Sequence, residues 1–227
     1  MVKRLVLLAF LVVSGVFLSE RMMAQRILGG MSLGMNLTQV DGDEFFGYHK
    51  FGLNIGPMVA VPFGKGRNWS VSMELLYSQK GSYHSGSADT TRYRLTLDYV
   101  EIPLIVHYTD KNLISGGVGF CYGRVVNFKE TQNHYYDNLF KYQTGLSNNE
   151  YSVIADMQIR IWSKLWADLR YQYTMKSYRT VVVDNPWVYP RNPYTRYQYN
   201  NVISIRVTWV FNQQKGTYVP PRHTDSE

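Results

Sequence analysis

The sequence VISIRVTWVF, residues 202–211, decides the fold. Its apolar side chains occupy alternate positions, at Ile203, Ile205, Val207, Trp209 and Phe211. Polar Ser204, Arg206 and Thr208 lie between them. A two-residue period is typical of a β-strand with one apolar face. Because similar stretches recur upstream between turn-like segments, we predict an all-β protein, an eight-stranded antiparallel up-and-down transmembrane β-barrel.

The other candidate strands have the same character. The eight lie at residues 27–38, 48–62, 69–82, 92–108, 113–129, 150–162, 165–178 and 198–212. Most are longer than the roughly 5–6 residues usual in soluble proteins. They suit the roughly 9–11 residues that a tilted strand needs to cross a membrane.

The connections between these strands alternate in length. Long segments lie at residues 39–47, 83–91, 130–149 and 179–197, and short ones at 64–68, 109–112 and 163–164. Antiparallel neighbours place alternate connections at opposite ends of a barrel. All long connections therefore share one end, and the short turns share the other with both termini. Outer-membrane barrels have long extracellular loops and short periplasmic turns, so we predict periplasmic termini.

The ends of the chain indicate export and a terminal tail. Lys3 and Arg4 precede the apolar run Leu5–Leu18, and Ala24 offers a small residue for cleavage, so residues 1–24 are predicted to be a signal peptide. A single membrane-anchor helix is the alternative, but the run is shorter than the roughly 20 apolar residues of a bilayer span. We assign residues 25–212 to the outer-membrane barrel and the polar residues 213–227 to a flexible periplasmic tail.

Composition argues against several classes of function. The formal charge of +7 comes from scattered basic residues, and an exported chain has no nucleic-acid partner to meet. Cys121 is the single cysteine, so it forms no internal disulfide. The histidines are dispersed without metal-ligand spacing. His84, near Ser82 and Asp89, gives the one cluster suited to catalysis, and it has the composition of a polar loop. We therefore expect no enzyme activity, cofactor or metal.

Which face of the barrel is inside must be decided separately. A soluble lipocalin-like barrel would have the same alternation with its apolar face inward. The aromatic side chains concentrate near both strand ends, as in the interfacial girdles of membrane proteins. The charged face is then lumenal, and the predicted network comprises Glu74, Lys80, Asp98, Glu101, Asp156, Arg160, Asp168, Arg170 and Arg206. Either a selective pore or a plug of salt bridges follows, and a narrow eight-stranded interior favours the plug.

One strand departs from the alternation. Leu95, Leu97 and Tyr99 share one parity, whereas the apolar residues from Ile102 onward have the other. A β-bulge near Tyr99–Pro103 would reset the register and turn Glu101 inward.

Two long connections are rich in aromatic and arginine residues, which are enriched at protein interfaces. The possible interaction surface consists of Tyr135, Tyr136, Phe140, Tyr142, Trp187, Tyr189, Arg191, Tyr194 and Arg196. Binding of a partner and packing of the loops on one another both explain this composition.

Three segments carry a family resemblance. ELLYSQKGS (residues 74–82), LDYVEIPLIV (97–106) and SGGVGFCYG (115–123) resemble the PorT-like outer-membrane β-barrel family of the Bacteroidetes. The resemblance implies a barrel and no active site. It further implies a role in type IX protein secretion, as a component or assembly factor, with periplasmic or outer-membrane secretion proteins as partners.

We therefore expect a monomeric barrel surrounded by outer-membrane lipid, with a structural or accessory role. A small-solute channel is one alternative. A surface adhesin or receptor that acts through its long extracellular loops is the other.

Overall fold

The computed structural model describes residues 27–42, 47–85, 92–133, 141–183 and 194–212. The strands are β1 (Leu28–Asp41), β2 (Lys50–Phe63), β3 (Trp69–Glu74), β4 (Leu76–Ser85), β5 (Arg92–Asp110), β6 (Ile114–Asn133), β7 (Lys141–Leu146), β8 (Asn149–Arg160), β9 (Leu165–Thr174), β10 (Arg179–Val183) and β11 (Tyr194–Val210). Among these residues no helix has both the length and the apolar character needed to cross a membrane. The predicted signal peptide and tail lie outside the described residues.

The strands close into an antiparallel ring. Around it the order is β1, β2, β3 with β4, β5, β6, β8, β9 and β11, and β11 pairs again with β1. β3 and β4 are two parts of one strand interrupted at Leu75, so the ring has eight strands. Closure pairs both edges of every barrel strand, which removes the open edges on which other chains could add. The predicted eight-stranded barrel is confirmed.

Two short strands extend the sheet beyond one end of the ring. β10 pairs with residues 194–198 of β11 on one side and with β7 on the other. Both strands lie inside long connections that we predicted to be loops. The guanidinium of Arg179 on β10 donates to both carboxylate oxygens of Glu130 on β6, at 3.2 and 3.0 Å. This ion pair ties the extension to the opposite part of the rim.

The outward face of the ring is apolar at mid-height. The exposed side chains include Met31, Leu33, Met35, Leu53, Met73, Ile102, Leu104, Val106, Val118, Phe120, Val153, Met157, Ile159, Leu169, Ile205 and Val207. An apolar band around a whole barrel is the surface that lipid covers. The inverted arrangement of a soluble ligand-binding barrel is therefore not the one observed.

Aromatic side chains border this band at two levels. Phe63, Trp69, Tyr108, Trp162, Trp209 and Phe211 lie toward the short turns, and Tyr77, Tyr122, Tyr151, Tyr171, Tyr173 and Tyr199 lie toward the long connections. The rings of Trp69 and Tyr108 meet edge to face with their centroids 5.0 Å apart. Those of Tyr173 and Tyr199 stack at 6.3 Å. Such rings favour the headgroup zone of a bilayer.

A β-bulge lies at the edge of the predicted region, because the register shifts between Asp98 and Tyr99, but its assignment to β5 is wrong. Odd-numbered residues of β5 point inward along its length, so the strand keeps one parity from Leu95 to His107. The register shift lies across from Asp98 and Tyr99, where β6 carries the extra residue Val126. The apolar side chains change face because the upper interior is itself apolar: Val40, Leu95, Leu97, Tyr99 and Tyr178 form a buried cluster there, the apolar cap. Tyr99 belongs to this interior and not to an aromatic girdle.

Candidate functional site

The barrel interior is built from the inward residues of all eight strands, and its middle holds an ion-pair cluster. Glu74 lies at the centre of this cluster. Its carboxylate accepts two hydrogen bonds from Arg170, from Nη1 at 3.0 Å and from Nη2 at 2.8 Å. A third comes from Nη1 of Arg206 at 2.8 Å. Because β3 and β9 are four strands apart in a ring of eight, the Glu74–Arg170 contact crosses the lumen.

Two aspartates complete this cluster. Asp156 is the register partner of Arg170, which reaches its Oδ2 from Nη2 at 2.6 Å. Asp168 is the register partner of Arg206 and accepts a hydrogen bond from its Nη2. Register partners share a face of a sheet, so each arginine receives one acid from its neighbour and one from across the barrel. We call these five residues the arginine layer.

His107 lies at the edge of the arginine layer. Its Nε2 is 3.5 Å from Oδ2 of Asp156, and its Nδ1 is 3.4 Å from Oγ of Ser72. A hydroxyl, an imidazole and a carboxylate are the groups of a nucleophilic triad, but both contacts are long for hydrogen bonds. Asp156 is also paired with Arg170. His107 therefore packs beside the arginine layer without completing a triad.

A second cluster lies closer to the long connections. Nζ of Lys80 is 2.6 Å from Oε1 of Glu101 and 2.7 Å from Oε1 of Glu150, and it sits 4.8 Å from the centre of the Tyr99 ring. Nδ2 of Asn200 donates to the Tyr99 hydroxyl at 3.1 Å. β5 and β11 are four strands apart, so this bond also crosses the lumen. We call these residues the lysine layer.

Together the two layers occupy the interior with more acid than base. Among the described residues, the carboxylates of Glu74, Glu101, Glu150, Asp156 and Asp168 face the cations of Lys80, Arg170 and Arg206. All eight side chains are buried. The apolar cap follows the lysine layer toward the long connections. Within the part of the chain that the structure describes, no group of acids, histidines or cysteines is arranged to hold a metal ion.

The structure brings together seven of the nine residues predicted for the lumen: Glu74, Lys80, Glu101, Asp156, Asp168, Arg170 and Arg206. Asp98 is not among them. It lies on the face of β5 opposite Leu97 and Tyr99, and it accepts hydrogen bonds from Gln79 at 3.1 Å and Asn127 at 2.9 Å. The inward assignment of Asp98 is wrong because the apolar side chains beside it turn into the barrel at this height.

Arg160 is also outside the two layers. It has the inward parity of β8, but it ends that strand at the short-turn end of the barrel. Its guanidinium donates to the carbonyl oxygens of Asn112, Trp162 and Ser163. Arg160 therefore binds two turns together and has no part in the lumenal ion pairs.

Two titratable residues that contact these layers, Glu150 and His107, were not predicted. Glu150 has the parity of Asp156 on β8, and His107 has the parity of Glu101 on β5. Extending the alternation by a few residues along each strand would have found both.

Most of the predicted loop surface falls outside the residues that the structure describes. Tyr135, Tyr136, Phe140, Trp187, Tyr189 and Arg191 lie outside the described residues, as do the side chains of Tyr142 and Tyr194. Arg196 is described and half-buried on β11.

Comparison with known proteins gives a family match and several distant structural likenesses. The sequence model of the outer membrane protein β-barrel domain matches residues 19–177. Ail of Yersinia pestis, solved with the heparin analogue sucrose octasulfate, is 11% identical with a TM-score of 0.45, covering 82% of this chain and 99% of Ail. OprG of Pseudomonas aeruginosa is 12% identical with a TM-score of 0.39, covering 82% of this chain and 94% of OprG. A major outer membrane protein of Thermus thermophilus is 12% identical with a TM-score of 0.41, covering 81% of this chain and 99% of that protein. Among curated proteins, none matches.

Proposed function

Because the chain belongs to the family of outer membrane protein β-barrel domains, we propose that it is a closed outer-membrane scaffold that acts through its two ends. The observation that carries this proposal is the Glu74–Arg170 pair, which crosses the lumen. The proposal includes no catalytic step, cofactor or metal.

A filled interior supports a scaffold over a channel. An eight-stranded barrel is just wide enough for side chains to fill its inside. Here the arginine layer and the lysine layer occupy successive heights, and each contains a contact between strands on opposite sides of the ring. Passage of a solute would require both layers to separate. Removing one partner of a buried ion pair costs about 3–5 kcal/mol, so thermal opening of both is rare.

The lengths of the connections support one orientation of the barrel in the membrane. We place the short turns and both termini in the periplasm and the long connections outside the cell, as in other barrels of bacterial outer membranes. The ring is complete without a second subunit, which supports a monomeric barrel surrounded by lipid.

We propose further that the scaffold serves type IX protein secretion, with periplasmic or outer-membrane components of that machinery as its partners. The support is the resemblance of residues 74–82, 97–106 and 115–123 to the PorT-like family. These segments contribute Lys80, Tyr99 and Glu101, which meet in the lysine layer. The resembling residues therefore build the closed interior, as a structural role requires.

Recording from planar lipid bilayers tests the closed lumen. Purified full-length protein, its folded state verified by heat-modifiable mobility on gels, is expected to give no unitary conductance. A folded variant with small neutral side chains in both layers (Glu74→Ala, Arg170→Ala, Lys80→Ala, Glu150→Ala) shows whether a current would be detected. Reproducible conductance steps from the unaltered protein would overturn the proposal.

Gene deletion tests the secretion role separately. We expect cargo proteins of type IX secretion to accumulate in the periplasm and secretion to return with the full chain. A chain ending at Asn212 should restore the barrel without the tail, and so shows whether the tail takes part. Unchanged cargo secretion in the deletion strain would refute the secretion role and leave the closed scaffold standing.

A further inference from the structure

Three cations stand on the outer face of β5 and β6, beyond the apolar band. Arg94, Arg124 and Lys129 are exposed. None of them forms a hydrogen bond or ion pair with another residue of the described ranges. We call these three residues the basic strip. They are outside both interior layers, and neither the fold nor the closed lumen requires them.

The strand register places the basic strip on one surface. Arg124 pairs with the outward Val100, Lys129 with Thr96, and Arg94 with Thr131. Register partners share a face of the sheet, so all three cations point away from the barrel. Along β5 the positions of Arg124 and Lys129 are four residues apart, about 13 Å at the usual strand rise.

The basic strip begins where the upper aromatic girdle ends. Tyr122 precedes Arg124 by two residues on β6, and its ring lies 5.6 Å from that of Tyr151. The headgroup zone on each side of the hydrocarbon core is about 5–8 Å thick. Arg124 therefore lies within the headgroups, Lys129 at their outer border, and Arg94 above them.

The neighbouring acid does not neutralise the basic strip. Asp98 lies on the same outer face and accepts its hydrogen bonds from the amides of Gln79 and Asn127, not from a cation of the strip. Its single negative charge leaves the three cations with an excess of two positive charges. The other side of the rim, formed by β1, β2, β9 and β11, presents tyrosine side chains. There Tyr48 donates to Asn201 at 2.7 Å, and the Tyr173 and Tyr199 rings stack beside Asp41. Among the described residues, tyrosines and Asp41 line that side of the rim, whereas β5 and β6 present the three cations.

We propose that the basic strip binds the phosphate groups of a phosphorylated glycolipid in the outer leaflet. Guanidinium groups bind phosphate through paired, charge-assisted hydrogen bonds, and a lysine adds a point charge. A lipid held by its acyl chains against the apolar band would present its headgroup phosphates at the height of Arg124 and Lys129. This inference rests on the proposed orientation, with the long connections outside the cell.

Native mass spectrometry of the full-length protein in a neutral detergent tests the proposal. The probes are diphosphorylated lipid A and the same lipid without phosphates. We expect the unaltered protein to retain the diphosphorylated form preferentially. The double variant Arg124→Gln, Lys129→Gln should lose this preference by about fivefold for each cation removed.

A charge-matched control distinguishes specific binding at the basic strip from general electrostatic attraction of the lipid to a basic protein. Lys111→Gln with Lys176→Gln removes two exposed cations that lie off the basic strip and should leave the preference unchanged. Equal retention of both lipids by the unaltered protein, or an equal loss in the control, would overturn the proposal. So would displacement of the lipid by millimolar inorganic phosphate, which would make free phosphate the ligand. Because conductance is measured separately, failure here leaves the closed scaffold intact.

Discussion

Glu74 of β3 and Arg170 of β9 are joined by two parallel hydrogen bonds, of 3.0 and 2.8 Å, across the full width of the barrel. The two residues are 96 positions apart in sequence and four strands apart around the ring. A bidentate guanidinium–carboxylate pair has a fixed geometry. The contact therefore sets the separation of two opposite walls as well as neutralising a buried charge.

The first prediction concerns this pair. Glu74→Gln removes the carboxylate that both guanidiniums share but leaves Arg170 paired with Asp156 and Arg206 with Asp168. It should therefore lower the free energy of unfolding by about 1.5–3 kcal/mol, the value of hydrogen bonds to charged groups. Arg170→Met alone should also destabilise, because Glu74 and Asp156 lose their shared cation. The double variant Glu74→Gln, Arg170→Met should lose less free energy of unfolding than the two single losses added together, since it removes both members of the pair. Urea unfolding in lipid vesicles measures all three.

Asp98→Asn is the matched control for that cycle. It also neutralises a buried carboxylate, but the partners of Asp98 are two amides and not a cation. We expect a loss of about 1 kcal/mol, the usual net value of a hydrogen bond. A loss as large as that of Glu74→Gln would mean that the cross-lumen pairing has no special energetic role.

The second prediction ranks two changes in the lysine layer. Lys80→Met leaves Glu101 and Glu150 buried without their shared cation, and we expect a loss of about 3–5 kcal/mol. Tyr99→Phe removes the hydroxyl's hydrogen bonds with Asn200 and with the Glu150 carboxylate and keeps the ring. It should therefore cost about 1.5–3 kcal/mol, the value of hydrogen bonds to charged groups. The midpoint of the heat-induced mobility shift on gels gives the order. The reverse order would show that Tyr99, and not Lys80, holds this layer together.

Much of the barrel could be predicted from local alternation. On β9 and β11 every second residue is apolar over the whole membrane-spanning length, and the polar residues between them include Asp168, Arg170 and Arg206. The inward orientation of these three residues followed directly from their parity. The acid that each arginine binds could not be predicted in this way, because the register between strands is a property of the closed ring.

The assumption that apolar residues face outward failed where the strands rise above the membrane. Above the membrane-facing band an apolar residue no longer gains by facing outward, so Leu95 and Leu97 pack inside and Asp98 faces outward. The alternation of apolar and polar residues does not indicate where along the strand the membrane-facing band ends. β7 and β10 were missed for a similar reason: each is stabilised by pairing with a distant strand, which a local pattern does not reveal.

The third prediction uses two adjacent glycines on β6. A Cβ at Gly117 would lie 2.4 Å from Cδ2 of His107, whereas a Cβ at Gly116 would meet nothing within 4 Å. Gly117→Ala should push the imidazole away from Ser72 and Asp156, with an overpacking cost of about 1–3 kcal/mol. Gly116→Ala faces outward and should be neutral or stabilising by up to about 1 kcal/mol. Equal effects in urea unfolding would contradict the inward position of Gly117.

The fourth prediction tests the lipid contact of the apolar band. Leu104 is 53% exposed on the outer face of β5, at mid-height between the two aromatic levels. Leu104→Arg should lower the free energy of unfolding in vesicles by about 2–4 kcal/mol, the cost of an arginine at the bilayer midplane.

Leu113 is the matched control for this test, because it is 50% exposed but lies at a short turn. Leu113→Arg should cost no more than about 1 kcal/mol, since the penalty falls toward the membrane interface. Both positions are exposed leucines, so their difference isolates depth from side-chain type. Equal costs at the two positions would mean that the band is not in contact with lipid. The large cost at Leu104 should also shrink in short-chain detergent micelles, because a micelle deforms around a charged side chain more readily than a bilayer does.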